Sequence, residues 1–290
     1  IILSGYWFFL LDKRAADPEK KYRLADRKEL GRLILFNVLV FVMYIFDWNS
    51  WKYSFIGDEY AFFHYARGIL DGGFHSGILY GGGVYGDHPV WASVYQAVVM
   101  KFFGGGFFGW NLSSAIIVPL SIIPFYFWVK MMFNKRTAVI GVIAFAFSLP
   151  MLAFSHIAHD IIHAIFPFVT GMFLFELALR KRSYFYAFLA AAVLGIGCYT
   201  FFTARLSIVI AALYWALHPL RKEFGWKRLF AAAGVYFFVI LFIFLDPKVL
   251  DYMTKHSIIK GTEIANQAER PIYMILNYIH TFFAFIHREI

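Results

Sequence analysis

Two adjacent acids head the stretch of this chain best suited to chemistry, Gly57-Asp58-Glu59-Tyr60, which runs on as Ala61-Phe62-Phe63-His64-Tyr65-Ala66-Arg67. The pattern predicts a helix that begins at Asp58, where a carboxylate can accept the free N–H groups of the first turn. A carboxylate at a membrane face can also act as a general base or a metal ligand. The two roles are compatible, and Glu59 carries the same chemistry one position on.

Three further groups have spacing that chemistry could use. Gly81-Gly82-Gly83-Val84-Tyr85-Gly86-Asp87-His88-Pro89-Val90 is a glycine-rich loop that ends where Pro89 suits a first helical turn. Asp87 and His88 then stand at a helix N-terminus, either as caps or as an anion site for a phosphate. The glycines match no nucleotide-binding loop. Ser155-His156-Ile157-Ala158-His159-Asp160-Ile161-Ile162-His163 places His156, His159, Asp160 and His163 three, four and seven apart, one stripe if the segment is helical. That stripe reads as a hydrogen-bonded polar face, as a metal pair of His159 and His163, or as a catalytic Asp160. Lastly, Tyr199-Thr200-Phe201-Phe202-Thr203-Ala204-Arg205 sets one cation at a helix boundary. Arg205 can snorkel among lipid headgroups or grip a phosphate with two parallel hydrogen bonds.

Membrane helices have to position these groups. The 290 residues are 61% hydrophobic, 21% aromatic and 16% charged, whereas soluble domains are about 25% charged. This excludes an ordinary soluble enzyme, a disordered chain and a nucleic-acid-binding domain. Apolar runs predict an all-α, polytopic bundle of eight spans near 33–51, 110–129, 137–154, 162–179, 184–202, 206–218, 229–245 and 271–286. Residues 1–32 read as a basic N-terminal segment at the cytoplasmic surface, and 33–290 as one membrane domain. No cleavable signal peptide is expected, because Ile1–Leu11 has no basic region before it. The chain starts at Ile1 and stops at Ile290 just after an apolar segment, so a domain incomplete at its C-terminus is expected. The single Cys198 excludes an intrachain disulfide.

Val90–Phe103 is apolar but short, about 21 Å as a helix against a hydrocarbon core of about 30 Å. Laid flat on the outer interface, it leaves 19 of the 27 Lys and Arg residues on the inner side. Made to span, it leaves only 14 there. The positive-inside rule therefore favours a cytoplasmic N-terminus and a flat helix. Residues 47–89, 155–160, 203–205 and 246–270 then share the outer face and hold ten of the 18 acids. Lys248, Lys255, His256, Lys260 and Arg270 either cover a site there or face water, while Glu176 and Asn277 are given no role.

These motifs, taken in order, resemble the membrane glycosyltransferases of the C superfold, on the protein-O-mannosyltransferase and aminoarabinose-transferase side. The Asp58-Glu59 helix, the Asp87-His88-Pro89 start of an interfacial helix ending at Phe103-Gly104, Asp160, and Gly195-Ile196-Gly197-Cys198-Tyr199-Thr200 up to Arg205 carry the resemblance over about residues 33–218. The chain departs from the pattern at Asn111, where an Arg is common, and at Val90, where a second proline is usual. The resemblance implies a polyprenyl-phosphate sugar donor, an acceptor hydroxyl on a protein or glycolipid, and a site on the extracytoplasmic face of a bacterial inner membrane. It implies Asp58, with Glu59 and Asp160, in catalysis, and Arg205, His88, Asp87 and His159 near the phosphate or substrate. No cofactor is required, though a divalent metal at His159 and His163 is compatible. No nucleic acid is expected as a partner. Two other readings stay open: a non-catalytic subunit of a larger membrane assembly, and a lipid or solute transporter.

Overall fold

The computed structural model describes residues 26–46, 58–72, 84 and 89–245, and among them every regular element is a helix. Helix α1 (Arg27–Ile45) starts where the Asp26 carboxylate accepts the Glu29 N–H at 2.6 Å. The basic surface segment expected up to Arg32 is thus, in its described part, the first turn of the same helix. Helices α2 (Asp58–Gly72) and α3 (Trp91–Phe103) follow. Helices α4 (Phe107–Ala115) and α5 (Ile117–Met132) run on as one 26-residue apolar rod, Phe107–Met132. Asn134 caps α6 (Lys135–Ala146), and α7 (Leu149–His156) continues it across a 43° bend.

A 3₁₀ turn, Asp160–Ala164, leads into α8 (Ile165–Lys181), together 22 residues. Ser183 caps α9 (Tyr184–Gly197). A second 3₁₀ turn, Phe202–Leu206, leads into α10 (Ser207–Leu217), and α11 (Arg221–Phe224) and α12 (Trp226–Leu245) complete the described chain.

Two of these units, Phe107–Met132 and Asp160–Lys181, are long and apolar enough to cross a membrane, and the bent pair α6–α7 makes three. The expectation of eight spans is met only in part. Segments 184–202 and 206–218 are shorter apolar helices, Tyr184–Gly197 and Thr203–Leu217, because the chain turns at 198–200 between them. The segment near 271–286 lies outside the described residues. Leu35, Leu39, Ile140, Phe185, Leu213 and Phe238 point outward from the bundle. So continuous an apolar exterior belongs against lipid.

Helix α8 lies at the centre, between α5 and α9; α9 packs on α12, and α5 on α6 and α1. Inside lipid, close packing of small residues drives association more than apolar burial does. Gly171 in α8 has no room for a side chain, since a Cβ there would sit 2.5 Å from Leu194 of α9. Ala187, Ala190 and Ala191 extend the same close face.

The 43° bend has a chemical cause. Pro150 has no N–H, so the Ala146 carbonyl loses its donor four residues on. The fully buried Tyr44 of α1 supplies the missing hydrogen bond, its hydroxyl donating to Ala146 O at 2.6 Å.

The far end of α8 carries a buried charge cluster. Arg180 donates to the Glu176 carboxylate and to the Met131 carbonyl at the end of α5. Tyr214 OH donates to Glu176 Oε2 at 2.6 Å, and His218 Nε2 lies 3.1 Å from the same oxygen. The Leu220 N–H donates to His218 Nδ1 at 3.1 Å, so the proton of a neutral ring sits on Nε2, facing Glu176. Glu176 thus joins α8, α5 and α10, a role its isolation in the sequence did not suggest. Glu176→Gln keeps the shape and leaves Arg180 without its counter-charge. It should destabilise the fold by about 3–5 kcal/mol, read as a lowered unfolding midpoint of the detergent-solubilised protein. An unchanged midpoint would remove Glu176 from this role.

Candidate functional site

The site is assembled at the opposite end of α8, where the helices break. Phe62, one helical turn after Asp58, is fully buried and meets the His159 ring edge to face at 5.3 Å. Phe63 meets Phe107 at 4.4 Å and Trp110 at 5.6 Å. The start of α2 is thereby fastened to the turn before Asp160. Arg67 donates to the Gly105 carbonyl and so ties α2 to the turn after α3. That turn needs its glycines: Gly104 adopts φ +107°, and a Cβ on Gly109 would lie 2.1 Å from Gly104 O.

Helix α3 is 13 residues long, and its inner face of Ala92, Ser93, Gln96, Ala97, Val99 and Met100 is buried. Gln96 is its chemical centre. The amide nitrogen lies 3.1 Å from Ala158 O, 3.2 Å from Asp160 Oδ1 and 3.5 Å from His163 Nε2. His163 Nε2 is also 3.0 Å from Ser114 Oγ of α4, and Tyr95 meets its ring edge-on at 5.3 Å. Gln96, Ser114 and Asp160 are all 0% exposed, so the cluster is sealed by the helices around it. Ala158 sits at φ +51°, a left-handed conformation rare for a residue with a Cβ. Gln96 holds the carbonyl of this strained turn in place. Among the described residues, Asp160 Oδ2 has no hydrogen-bond partner.

The expected stripe of His156, His159, Asp160 and His163 on one helix does not form. Helix α7 ends at His156, the chain turns through Ala158, and a 3₁₀ turn starts at Asp160. The residues therefore fan out. His156 stacks on Tyr44 at 5.5 Å. His159 uses Nδ1 to accept the Ile161 N–H at 3.2 Å, with its ring among Phe62, Phe154 and Phe201. His163 turns to Ser114 and Gln96. Among the described residues, no group of three or more His, Cys, Asp or Glu side chains is placed to hold a metal.

Arg205 lies in the Phe202–Leu206 turn, half-buried, and its carbonyl accepts from Tyr236 OH at 3.3 Å. That turn packs on the Asp160–Ala164 turn through Ala204, Ala164, Phe201 and Ile161. The glycines before it serve packing, because Cβ atoms would meet Val239 of α12 at 2.9 Å from Gly195 and Pro167 of α8 at 3.3 Å from Gly197.

The structure thus joins the segments of Asp58, Asp160 and Arg205 at one end of the bundle. Asp58 is the first residue of α2 and Glu59 is half-buried beside it. Asp87 and His88 lie outside the described residues, as does 246–270. Val84 and Val90, on either side of the Asp87-His88 pair, are buried, and Val84 packs with Phe62, Trp110 and Ala158. Sequence reasoning missed Gln96 and Ser114. The available signal was an amide at the middle of a mainly apolar 13-residue helix, on the face it shares with Ser93 and Met100.

Replacing the donor isolates its contribution. Gln96→Met preserves length and removes both N–H groups, leaving the Ala158 carbonyl buried and unpaired. The expected loss of stability is about 1–3 kcal/mol, measured by thermal unfolding. Gln96→Glu should not restore it, because Glu at this position brings a second carboxyl against Asp160. Full stability of Gln96→Met would show that the turn holds itself.

A helical chain with an apolar exterior and a polar cluster sealed at one end of its bundle suits chemistry at a membrane face, and comparison with known proteins bears on which. None of the curated proteins and none of the solved structures compared with it matches. The family model described as dolichyl-phosphate-mannose-protein mannosyltransferase matches residues 87–245, more than half of the chain, and takes in α3 through α12 with Gln96, Asp160 and Arg205. The chain belongs to this family of membrane glycosyltransferases.

Proposed function

We propose that the chain transfers a sugar from a polyprenyl-phosphate carrier to an acceptor hydroxyl on the extracytoplasmic face of a bacterial inner membrane. The observation that carries this reading is the meeting of three segments, those of Asp58, Asp160 and Arg205, at the broken end of the bundle. The donor class is the one in the family's own description. The basic inner loops support a cytoplasmic N-terminus. With that topology α3, about 20 Å long, lies along the outer interface.

In this reaction the acceptor oxygen attacks the anomeric carbon as the bond to the phosphate oxygen breaks. The configuration inverts, and polyprenyl phosphate leaves with the electron pair. Asp58 takes the hydroxyl proton, and Glu59 stands beside it. The acceptor is a hydroxyl on a protein or a glycolipid. Asp160, buried beneath the site, is assigned to holding its turn through Gln96, and a direct contact with the sugar or nucleophile would require the cluster to open. Arg205 and His88 are assigned to stabilising the departing phosphate, whose charge is greatest in the transition state, and Asp87 and His159 to binding the substrate. None of these roles requires a metal, and a divalent ion that raised turnover would extend the proposal to Asp58 and the histidines.

Two measurements test the assignment. Asp58→Asn removes the base and keeps the size. Transfer from a polyprenyl-linked sugar should fall about 10²–10⁴-fold with the unfolding midpoint unchanged, and near-normal turnover would reject the base. Arg205→Ala should weaken binding of a short-chain polyprenyl phosphate about 10–100-fold, a range equivalent to about 1.4–3 kcal/mol. Arg205→Lys should recover part of this, since an ammonium lacks the two-pronged grip. Equal binding by all three proteins would leave Arg205 a headgroup anchor.

A further inference from the structure

A lined cleft lies at the other end of the bundle. Ser114, in the polar cluster, and Lys130 are on the same rod, 16 residues or about 24 Å apart. Beside Lys130, a half-open cleft of about 290 Å³ separates α1 from α6 and is lined by Glu29, Arg32, Leu33, Phe36, Tyr126, Lys135, Val139, Val142 and Ile143. The lining is graded along both helices. On α1, Glu29 and Arg32 come first, and Leu33 and Phe36 follow toward mid-bundle. On α6, Lys135 comes first, and Val139, Val142 and Ile143 follow. Polar groups therefore sit at the mouth and apolar ones at depth on both walls.

The charge at the mouth is positive. Glu29 is already engaged: Lys130 Nζ is 2.6 Å from its Oε1, Tyr126 OH donates to the same oxygen, and Lys135 Nζ is 3.8 Å from Oε2. Burial works to raise its carboxyl, but Lys130 and Tyr126 outweigh it and hold the group below its ordinary value. Asp26 is committed to the α1 cap. Arg32 and Lys135, the latter at the outer limit of its contact with Glu29, are both exposed at the mouth, with Arg27, Lys28 and Arg136 exposed on the adjoining turns. Val139 and Ile143 stay nearly half exposed on the apolar wall.

We propose that this cleft binds one anionic phospholipid from the leaflet opposite the Asp160 cluster. Its phosphate would lie between Arg32 and Lys135, and an acyl chain would run along Leu33, Phe36, Val139 and Ile143. The occupant follows from the grading. A free phosphate would satisfy only the mouth and a neutral detergent tail only the wall, whereas an anionic amphiphile satisfies both. This site stands on its own lining and is independent of the transfer reaction proposed above.

The test uses the full chain purified in detergent. Native mass spectrometry with equal amounts of dioleoyl-phosphatidylglycerol and dioleoyl-phosphatidylcholine should show one retained lipid, with phosphatidylglycerol favoured about tenfold or more. Arg32→Gln with Lys135→Gln should abolish the preference. Equal retention of both lipids by the parent protein would overturn the proposal, and so would a thermal shift from inorganic phosphate equal to that from phosphatidylglycerol. A photoreactive benzoylphenylalanine at Val139, with both charges intact, guards against a double variant that fails to fold. In membranes it should capture a phospholipid, and an adduct to residues 1–25 of the same chain would overturn the proposal.

Discussion

An apolar bundle offers no water to a broken helix, so every interrupted backbone group has to find its partner inside the chain. This requirement governs the fold. Tyr44 answers the Ala146 carbonyl that Pro150 leaves open, and Gln96 answers Ala158 in the strained turn. Arg180 answers Met131 where α5 ends, Tyr236 answers Arg205 in the second 3₁₀ turn, and Arg67 answers Gly105. Each donor comes from another helix and reaches across 31 or more residues of sequence. The breaks and the long-range architecture are thus one phenomenon, since a helix could not stop without a neighbour to accommodate it.

The two ends of the bundle meet the requirement differently. Around Glu176 the charges cancel locally, with Arg180, Tyr214 and His218 directed at one carboxylate. That arrangement is closed and holds three helices together. Around Asp160 a single amide serves two acceptors, and one carboxyl oxygen is left without a partner among the described residues. A buried polar group left open is expensive against hydrocarbon. The Glu176 carboxylate is not left in that state, since both of its oxygens are engaged.

Much of the helical layout was legible in the sequence, because length and hydropathy are local properties. The short helix expected at 90–103 is Trp91–Phe103, and the run near 110–129 lies within Phe107–Met132. What local pattern could not supply was the conformation of one alanine. Nothing about Ala158 marks it for φ +51°, yet that torsion separates His156 from Asp160 and dissolves the stripe read as continuous. The same limit hid Glu176: its neighbour Arg180 is four residues away and visible, while Tyr214 and His218 belong to a later helix. The Gly195 and Gly197 pair was recognised as a motif, but its physical reason, close contact with Val239 and Pro167, needed the packed bundle.

The bonds that hold the breaks have one further property. In each of the five, the acceptor is a main-chain oxygen, and a main-chain oxygen is the same whatever side chain it carries. Evolutionary drift at Ala146 or Met131 therefore leaves the acceptor intact, so long as the backbone keeps its course, whereas a Cβ at Gly105 would lie 2.5 Å from the Arg67 donor itself. Only the donor's identity is under direct selection from the bond. Half of each of these five contacts is in this sense silent in the amino-acid alphabet. Two chains built this way can keep the same skeleton while sharing few letters.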